Sequence, residues 1–310
     1  MTQRALPRME KRSWFKDLLQ NRYLYLMALP VAAYFLIFCY LPMYGVLIAF
    51  QNYSPFKGIW GSQWVGFKHF TDFFNSYYFW RLIRNTFMIN FWDLLVGFPA
   101  PILLALLLNE VRSQKFKRTV QTVTYMPYFI SLVVVVGLLK EMTASDGIVM
   151  DLLALFGMKR VNLLGYPEYF RALFVGSNLW QGLGFSSIMY LSAISAIDPT
   201  LYEAATMDGA NRFQRVLYVT LPGISVTIIT LFILRMGSMM SVGYEKIILM
   251  YNAVTMETAD VISSFVYRKG LIDSNYASAT AIGLFNSVLN CLFLVLGNTL
   301  SKRVAKRGLW

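Results

Sequence analysis

Apolar residues in this chain gather into long runs separated by short polar or aromatic connections. A bilayer core about 30 Å thick takes roughly 20 mostly apolar residues per helical crossing. Six runs reach that length: 24–50, 82–108, 120–139, 173–197, 221–242 and 279–300. The pattern predicts an all-α integral membrane protein in which residues 24–310 form one six-span domain of transmembrane helices. Ahead of it, residues 1–23 are basic, with Trp14, Phe15, Leu18 and Leu19 at helical spacing. They predict a short amphipathic helix on the inner membrane surface. Run 24–50 is too long for the apolar part of a cleavable signal, carries Pro30 and Pro42, and has no small-residue cleavage site, so it is expected to stay as a span.

Composition agrees. Of 310 residues, 57% are hydrophobic and only 14% charged, too little polar surface to cover a soluble globule. The formal charge of +12 raises the question of nucleic acid, but the positions of the basic residues answer it. Arg4, Arg8, Lys11, Arg12, Lys16 and Arg22 precede the first span; Arg112, Lys115, Lys117 and Arg118 separate the second and third. Arg212 and Arg215 lie between the fourth and fifth, and Lys302, Arg303, Lys306 and Arg307 follow the sixth. Lys and Arg accumulate on the cytoplasmic side, so these segments and both termini are expected inside a bacterial cytoplasmic membrane, with no nucleic-acid partner. The other connections are aromatic. Segment 51–81 is the densest, and its rings suit a membrane–water interface or an external partner surface.

Candidate chemistry is sparse. Cys39 and Cys291 fall in predicted spans without metal-ligand spacing, and His69 is the single histidine. No GxxxxGK[ST] loop is present, so the chain is expected to bind no ATP itself; ATP and Mg belong to a partner if ATP drives the process. Polar groups inside spans are Asn90 and Asp93 on the second, Asn178 and Gln181 on the fourth, Arg235 on the fifth, and Asn286, Ser287 and Asn290 on the sixth. Such groups avoid lipid and mark a hydrated interior path. Gly176, Gly182 and Gly184 give the fourth span small residues for close helix approach or a bend. An enzyme is not expected, because no paired catalytic constellation appears in the spans.

The connection 197–222, IDPTLYEAATMDGANRFQRVLYVTLP, is too regular for a loop. Asp198 suits an N-cap, Pro199 the first helical position, and Gly209 a break after a short helix. A second short helix is expected to run toward Leu221 and Pro222. Ala204 and Ala205 permit close approach of a partner, and Glu203 can engage a basic group there. Segment 198–222 resembles the EAA coupling loop of binding-protein-dependent importer permeases, matching at Glu203, Ala204, Ala205, Asp208, Gly209, Leu221 and Pro222. Likeness extends to FQNYSP at 50–55, VGF at 65–67, NT at 85–86, FPAP at 98–101, LNEV at 108–111, YMP at 125–127, GYE at 243–245 and GLW at 308–310. These stretches look like the polysaccharide or lipoprotein permease (LplB-like) branch of the MetI-like, maltose-type family.

The resemblance implies a type I ABC importer permease fold and an oligosaccharide substrate. It also implies three partners: a second homologous permease in a heterodimer, a homodimeric ABC ATPase and an extracytoplasmic solute-binding protein. In maltose-type relatives an aromatic-x-glycine element precedes the loop, close to sugar; Trp180, Gly182 and Phe185, with Gln181, stand in the matching place here. Where that family places sugar contacts on the next span, this chain has Ser238, Met239 and Val242. Arg84, Arg235, Arg268 and Lys269 suit an acidic oligomer, or serve as interfacial anchors. The alternative mechanism is an ion- or proton-coupled secondary transporter using Asp93 and Arg235.

Overall fold

The computed structural model describes residues 20–306, 308 and 309, most of them helical. Of the amphipathic segment expected over 1–23, Trp14, Phe15, Leu18 and Leu19 lie outside the described residues. The principal helices are α1 (Arg22–Phe50) and α2 (Phe79–Glu110), then α3 (Gln114–Phe129) bent by 103° into α4 (Leu132–Met142). They continue with α5 (Pro167–Ser195), α6 (Pro199–Met207), and α7 (Arg212–Gly223) bent by 60° into α8 (Ser225–Met236). The short α9 (Tyr244–Met250) and the long α10 (Tyr276–Ala305) complete the chain. α1, α2 and α10 are long and apolar enough to cross a membrane, and the count rises to five if each bent pair is one span. The sixth expected span, α5, has 29 residues but is more polar because of Asn178, Gln181 and the serines around them.

Three prolines shape the crossings. Pro42, Pro99 and Pro222 each stand two residues after a π-helical turn, at Phe35–Tyr40, Asp93–Gly97 and Val216–Thr220. Proline lacks an N–H and its ring crowds the carbonyl one turn back, and a wider turn lets the helix continue through that position.

Two expected spans differ from straight rods. Run 120–139 crosses the α3–α4 bend, where Ile130 and Ser131 are extended and the Ser131 hydroxyl accepts the Val134 N–H to start α4. Lys115, Lys117 and Arg118 consequently lie on a helix, not in a loop. Run 221–242 is helical only to Met236; the chain then unwinds through 237–243. Backbone groups of the unwound stretch find partners on α10, where Asn290 Oδ1 accepts the Met240 N–H at 2.8 Å and its Nδ2 donates to Ser241 Oγ at 2.8 Å. Irregular backbone at membrane depth requires such internal satisfaction.

Three clusters hold the bundle. One joins Ile89, Phe170, Phe174, Val242, Ile247 and Met250. A second, of Phe73, Leu82, Phe265 and Ile282, draws in part of the aromatic segment 51–81. A third joins Ala105, Leu106, Tyr190, Ile194 and Ile224 near the start of α6. Several other rings of the aromatic segment, including Phe56, Trp60, Tyr77 and Trp80, stay exposed. α1 buries none of its apolar window against the rest of the chain, leaving that surface for lipid or another subunit.

α5 touches most of the bundle, and Gly184 sets its distance from α3. A β-carbon there would lie 2.2 Å from the Thr124 carbonyl oxygen, a backbone atom that no rotamer change can move. At Gly176 nothing lies within 4 Å. Gly184→Ala is expected to destabilise the protein by about 1–3 kcal/mol through overpacking. Gly176→Ala should be near neutral, and thermal denaturation of the two variants in detergent compares them.

Candidate functional site

α2 and α5 both run past a cavity of about 480 Å³. Its wall includes Asn90, Asp93 and Phe98 from α2, Asn178, Gly182 and Phe185 from α5, and Arg235 at the end of α8. Asp93 opens the π turn close to the middle of the 32-residue α2. Its carboxylate accepts an ion-paired hydrogen bond from Arg235, which ties α2 to α8. Because Arg235 meets α2 at mid-length, α8 stops at mid-depth rather than near a membrane face. The guanidinium in its last turn also complements the negative end of the helix dipole. Beyond it, Ser241, Val242 and Gly243 of the unwound stretch complete the wall.

Lys246 on α9 stands behind this wall. It is almost fully buried, donates to Asn178 Oδ1 at 2.6 Å, and lies 5.2 Å from the centre of the Phe174 ring. Phe185 stacks face to face on Tyr128 of α3, ring centres 3.9 Å apart and planes 4° from parallel. Neither Lys246 nor Tyr128 was singled out from sequence. Lys246 sits in the run YEKIILM within a connection that reads as external, and the α3 bend that brings Tyr128 to Phe185 has no signal beyond Pro127.

The expected path residues separate into two groups. Asn90, Asp93, Gly182, Phe185 and Arg235 line the cavity together. Trp180, Gln181, Asn286 and Asn290 do not: Trp180 is about half exposed on another face of α5, and Gln181 donates to the Ile130 carbonyl at the α3–α4 break. Asn290 is engaged with the unwound backbone, and the buried Asn286 Oδ1 has no hydrogen-bond partner.

At the end of α5 remote from Arg171, the loop 198–222 is a folded unit. Asp198 Oδ1 accepts the Thr200 N–H at 2.9 Å, and this bond holds its carboxyl below the usual range. α6 follows with Pro199 in its first turn and ends at Gly209, whose φ of +79° is the left-handed value that L side chains resist. The Ala210 N–H closes the turn on the Ala205 carbonyl at 2.9 Å. Asn211 and Gln214 then exchange side-chain to backbone bonds in a capping box that starts α7. Leu221 and Pro222 belong to α7 itself, past its π turn, so the second helix does not stop before them.

Two contacts that sequence reasoning missed lock α6 to α7. Arg215 Nη1 donates to Thr206 Oγ1 at 3.1 Å, and the Tyr202 hydroxyl meets the buried Thr220 Oγ1 at 3.0 Å. Glu203, Ala204, Asp208 and Gly209 are exposed, as are Leu201, Met207 and Phe213, while Ala205 is half-buried. Apolar side chains thus stand beside a carboxylate on an exposed surface.

Residues 97–306 match the family model described as "Binding-protein-dependent transport system inner membrane component". The chain belongs to that family. It is 44% identical over 294 residues, 94% of this chain and 92% of the other, to the polygalacturonan/rhamnogalacturonan transport system permease protein YteP of Bacillus subtilis (strain 168). It is 43% identical over 299 residues, 96% of this chain and 94% of the other, to protein LplB of the same organism. Its fold superposes with a TM-score of 0.86, at 44% identity, on a chain of a bacterial alginate ABC transporter crystallised with its alginate pentasaccharide-bound periplasmic protein. That match covers 96% of this chain and 99% of the other. The protein is therefore an inner-membrane ABC permease of MetI-like fold and not an enzyme; ATP hydrolysis in such systems is performed by the partner ATPase. Asp93 and Arg235, the pair that ion coupling would use, are engaged with each other, and the secondary-transporter alternative is not favoured.

Asp93→Asn removes one partner of the α2–α8 ion pair and leaves Arg235 uncompensated beside the cavity. The expected loss is about 2 kcal/mol, the lower end for such truncations because the pair is partly exposed. The exchange Asp93→Arg with Arg235→Asp should recover part of it. Thermal denaturation of the native protein and these two variants measures the loss and its recovery.

Proposed function

We propose that this permease forms half of the membrane path of an ATP-driven importer of acidic oligosaccharides, of the galacturonate, rhamnogalacturonate or alginate kind. The observation that carries the reading is likeness over almost the whole chain to permeases whose names specify those polysaccharides. The cavity chemistry supports it: Arg235 and Lys246 outnumber Asp93, leaving positive charge at mid-bundle, and the stacked Phe185–Tyr128 pair offers an apolar ring surface to a sugar face. The working assembly is this chain, a second homologous permease, a homodimeric ABC ATPase and an extracytoplasmic solute-binding protein. Both termini and the 198–222 loop face the cytoplasm, where the basic connections lie.

In this assembly the loaded binding protein docks at the Arg171 end of α5, and α6 docks in the ATPase at the other. Closure of the ATPase dimer moves α6. The Tyr202–Thr220 and Arg215–Thr206 contacts pass that motion to α7 and α8, and Arg235 at the end of α8 carries it to the cavity. The chain contributes no cofactor; ATP and Mg are held by the ATPase.

The test is uptake in proteoliposomes holding the complete complex. Oligogalacturonate should enter only with ATP and binding protein, with vanadate abolishing entry; vanadate-insensitive uptake would overturn the ATP-driven reading. Glu203→Lys should weaken ATPase retention by about 2–5 kcal/mol, since it sets like charges together in an enclosed contact. Gly209→Val meets no neighbouring atom but must hold a β-branched residue at positive φ, a strain of about 1–2 kcal/mol that should uncouple ATP hydrolysis from uptake. Co-purification of the ATPase and binding-protein-stimulated hydrolysis report both effects.

A further inference from the structure

A second pocket, of about 460 Å³, opens at the opposite end of the bundle from α6. Arg81 and Arg84 from the first turns of α2, Arg171 from the first turns of α5, and Glu257 with the exposed Tyr77 line it. Asn85 joins the two helices: its Oδ1 accepts from Arg171 at 2.8 Å, and its Nδ2 donates to the Glu257 and Asp260 carbonyls at 2.8 and 3.0 Å.

The charges in this pocket do not balance. Asp260, the nearby buried carboxylate, is already held by Arg268 at 2.6 Å and Ser264 at 2.7 Å, with Arg81 at 3.4 Å. Arg171 has only the neutral Asn85 as its side-chain partner, and its Nε is buried without any. The Nε of Arg81 is also buried and unpartnered. Arg84 forms no ion pair or hydrogen bond among the described residues, and Glu257 pairs with none of the three guanidiniums. Three arginines thus surround a concave surface with their donors only partly met, an arrangement suited to an anion. The planar fork of arginine matches a carboxylate. Arg171 and Asn178 lie seven residues apart on nearly the same face of α5, about 10 Å along its axis, so the pocket stands over the cavity.

We propose that the Arg84–Arg171 pocket is a carboxylate-binding entry site that takes a uronate unit of the oligosaccharide before it reaches the cavity. This rests on the acidic-oligosaccharide reading above. Arg84 and Arg171 bind the carboxylate, Asn85 orients Arg171, and Tyr77 gives the sugar ring an aromatic face.

The experiment uses the assembled transporter in detergent without binding protein, titrated with trigalacturonate and with its neutral methyl ester and followed by saturation-transfer NMR. Trigalacturonate should bind at least about tenfold more tightly than the ester, a charge-assisted contact of roughly 1.4 kcal/mol. Arg84→Gln should lower affinity for trigalacturonate about tenfold and leave the ester unchanged; Glu257→Gln, which removes the one competing carboxylate, should raise it. Equal binding of the two probes, or an Arg84→Gln transporter that binds trigalacturonate as the native one does, overturns the proposal. Ligand-free binding protein is titrated onto the same complexes. If Arg84→Gln weakens that docking while trigalacturonate affinity holds, the carboxylate comes from the partner protein and the proposal also fails. Uptake by the native transporter tests the substrate reading separately, because oligogalacturonate binding without import would remove that reading and leave the pocket.

Discussion

An ion pair between Asp93 and Arg235, near mid-bundle, is the constraint around which the rest of this permease is arranged. Either charge alone in a hydrocarbon-depth site is costly, so each fixes where the other must be. Asp93 lies near the centre of α2, and Arg235 has to reach it from the last turn of α8. α8 therefore ends inside the bundle, the chain unwinds, and α10 must supply Asn290 to satisfy the loosened backbone. The cavity is the space left where helix α8 gives out. Its polar lining follows from the same requirement, since irregular backbone at that depth is tolerated only where protein or water surrounds it.

The two ends of the molecule carry different chemistry. At one end, α6 and α7 are joined by side-chain bonds and a tight turn through the left-handed Gly209, and their outward surface mixes apolar residues with Glu203. This is a rigid element suited to docking on protein. At the other end, three arginines surround a pocket with their donors incompletely met. Between them α5 runs unbroken for 29 residues, about 43 Å, touching the pocket with Arg171, the cavity with Asn178 and Gly182, and the loop through Ser195. The loop is packed onto the bundle where Ile197, just past α5, and Ile224, between α7 and α8, join the buried Tyr190 and Ile194.

Bends and wide turns interrupt several of the long helices. Wide turns ahead of Pro42, Pro99 and Pro222 loosen α1, α2 and α7 locally, and sharp bends part α3 from α4 and α7 from α8. Such positions are where helical segments can tilt against each other at low energy. Phe185 against Tyr128 places one of these hinges, the end of α3, directly at the cavity wall.

The sequence by itself determined the class of the protein, its long apolar helices and the helix–Gly209–helix loop, because each depends on local physics: apolar run length, N-capping by Asp198, and the freedom of glycine at positive φ. It also picked out Asn90, Asp93, Gly182, Phe185 and Arg235 as polar or aromatic oddities inside apolar runs, and these do meet at one cavity. Only the tertiary structure decided which way each side chain points. Trp180 and Gln181 flank Gly182 in sequence, yet the helical period of 100° per residue carries them off the cavity face. Arg235 reads as a residue near a membrane surface until its partner on α2 is known. Lys246, Tyr128 and the Arg84–Arg171 pairing join segments far apart in the chain. Their meeting depends on how α9, the α3 bend and the first turns of α2 and α5 pack, which no local run of residues specifies.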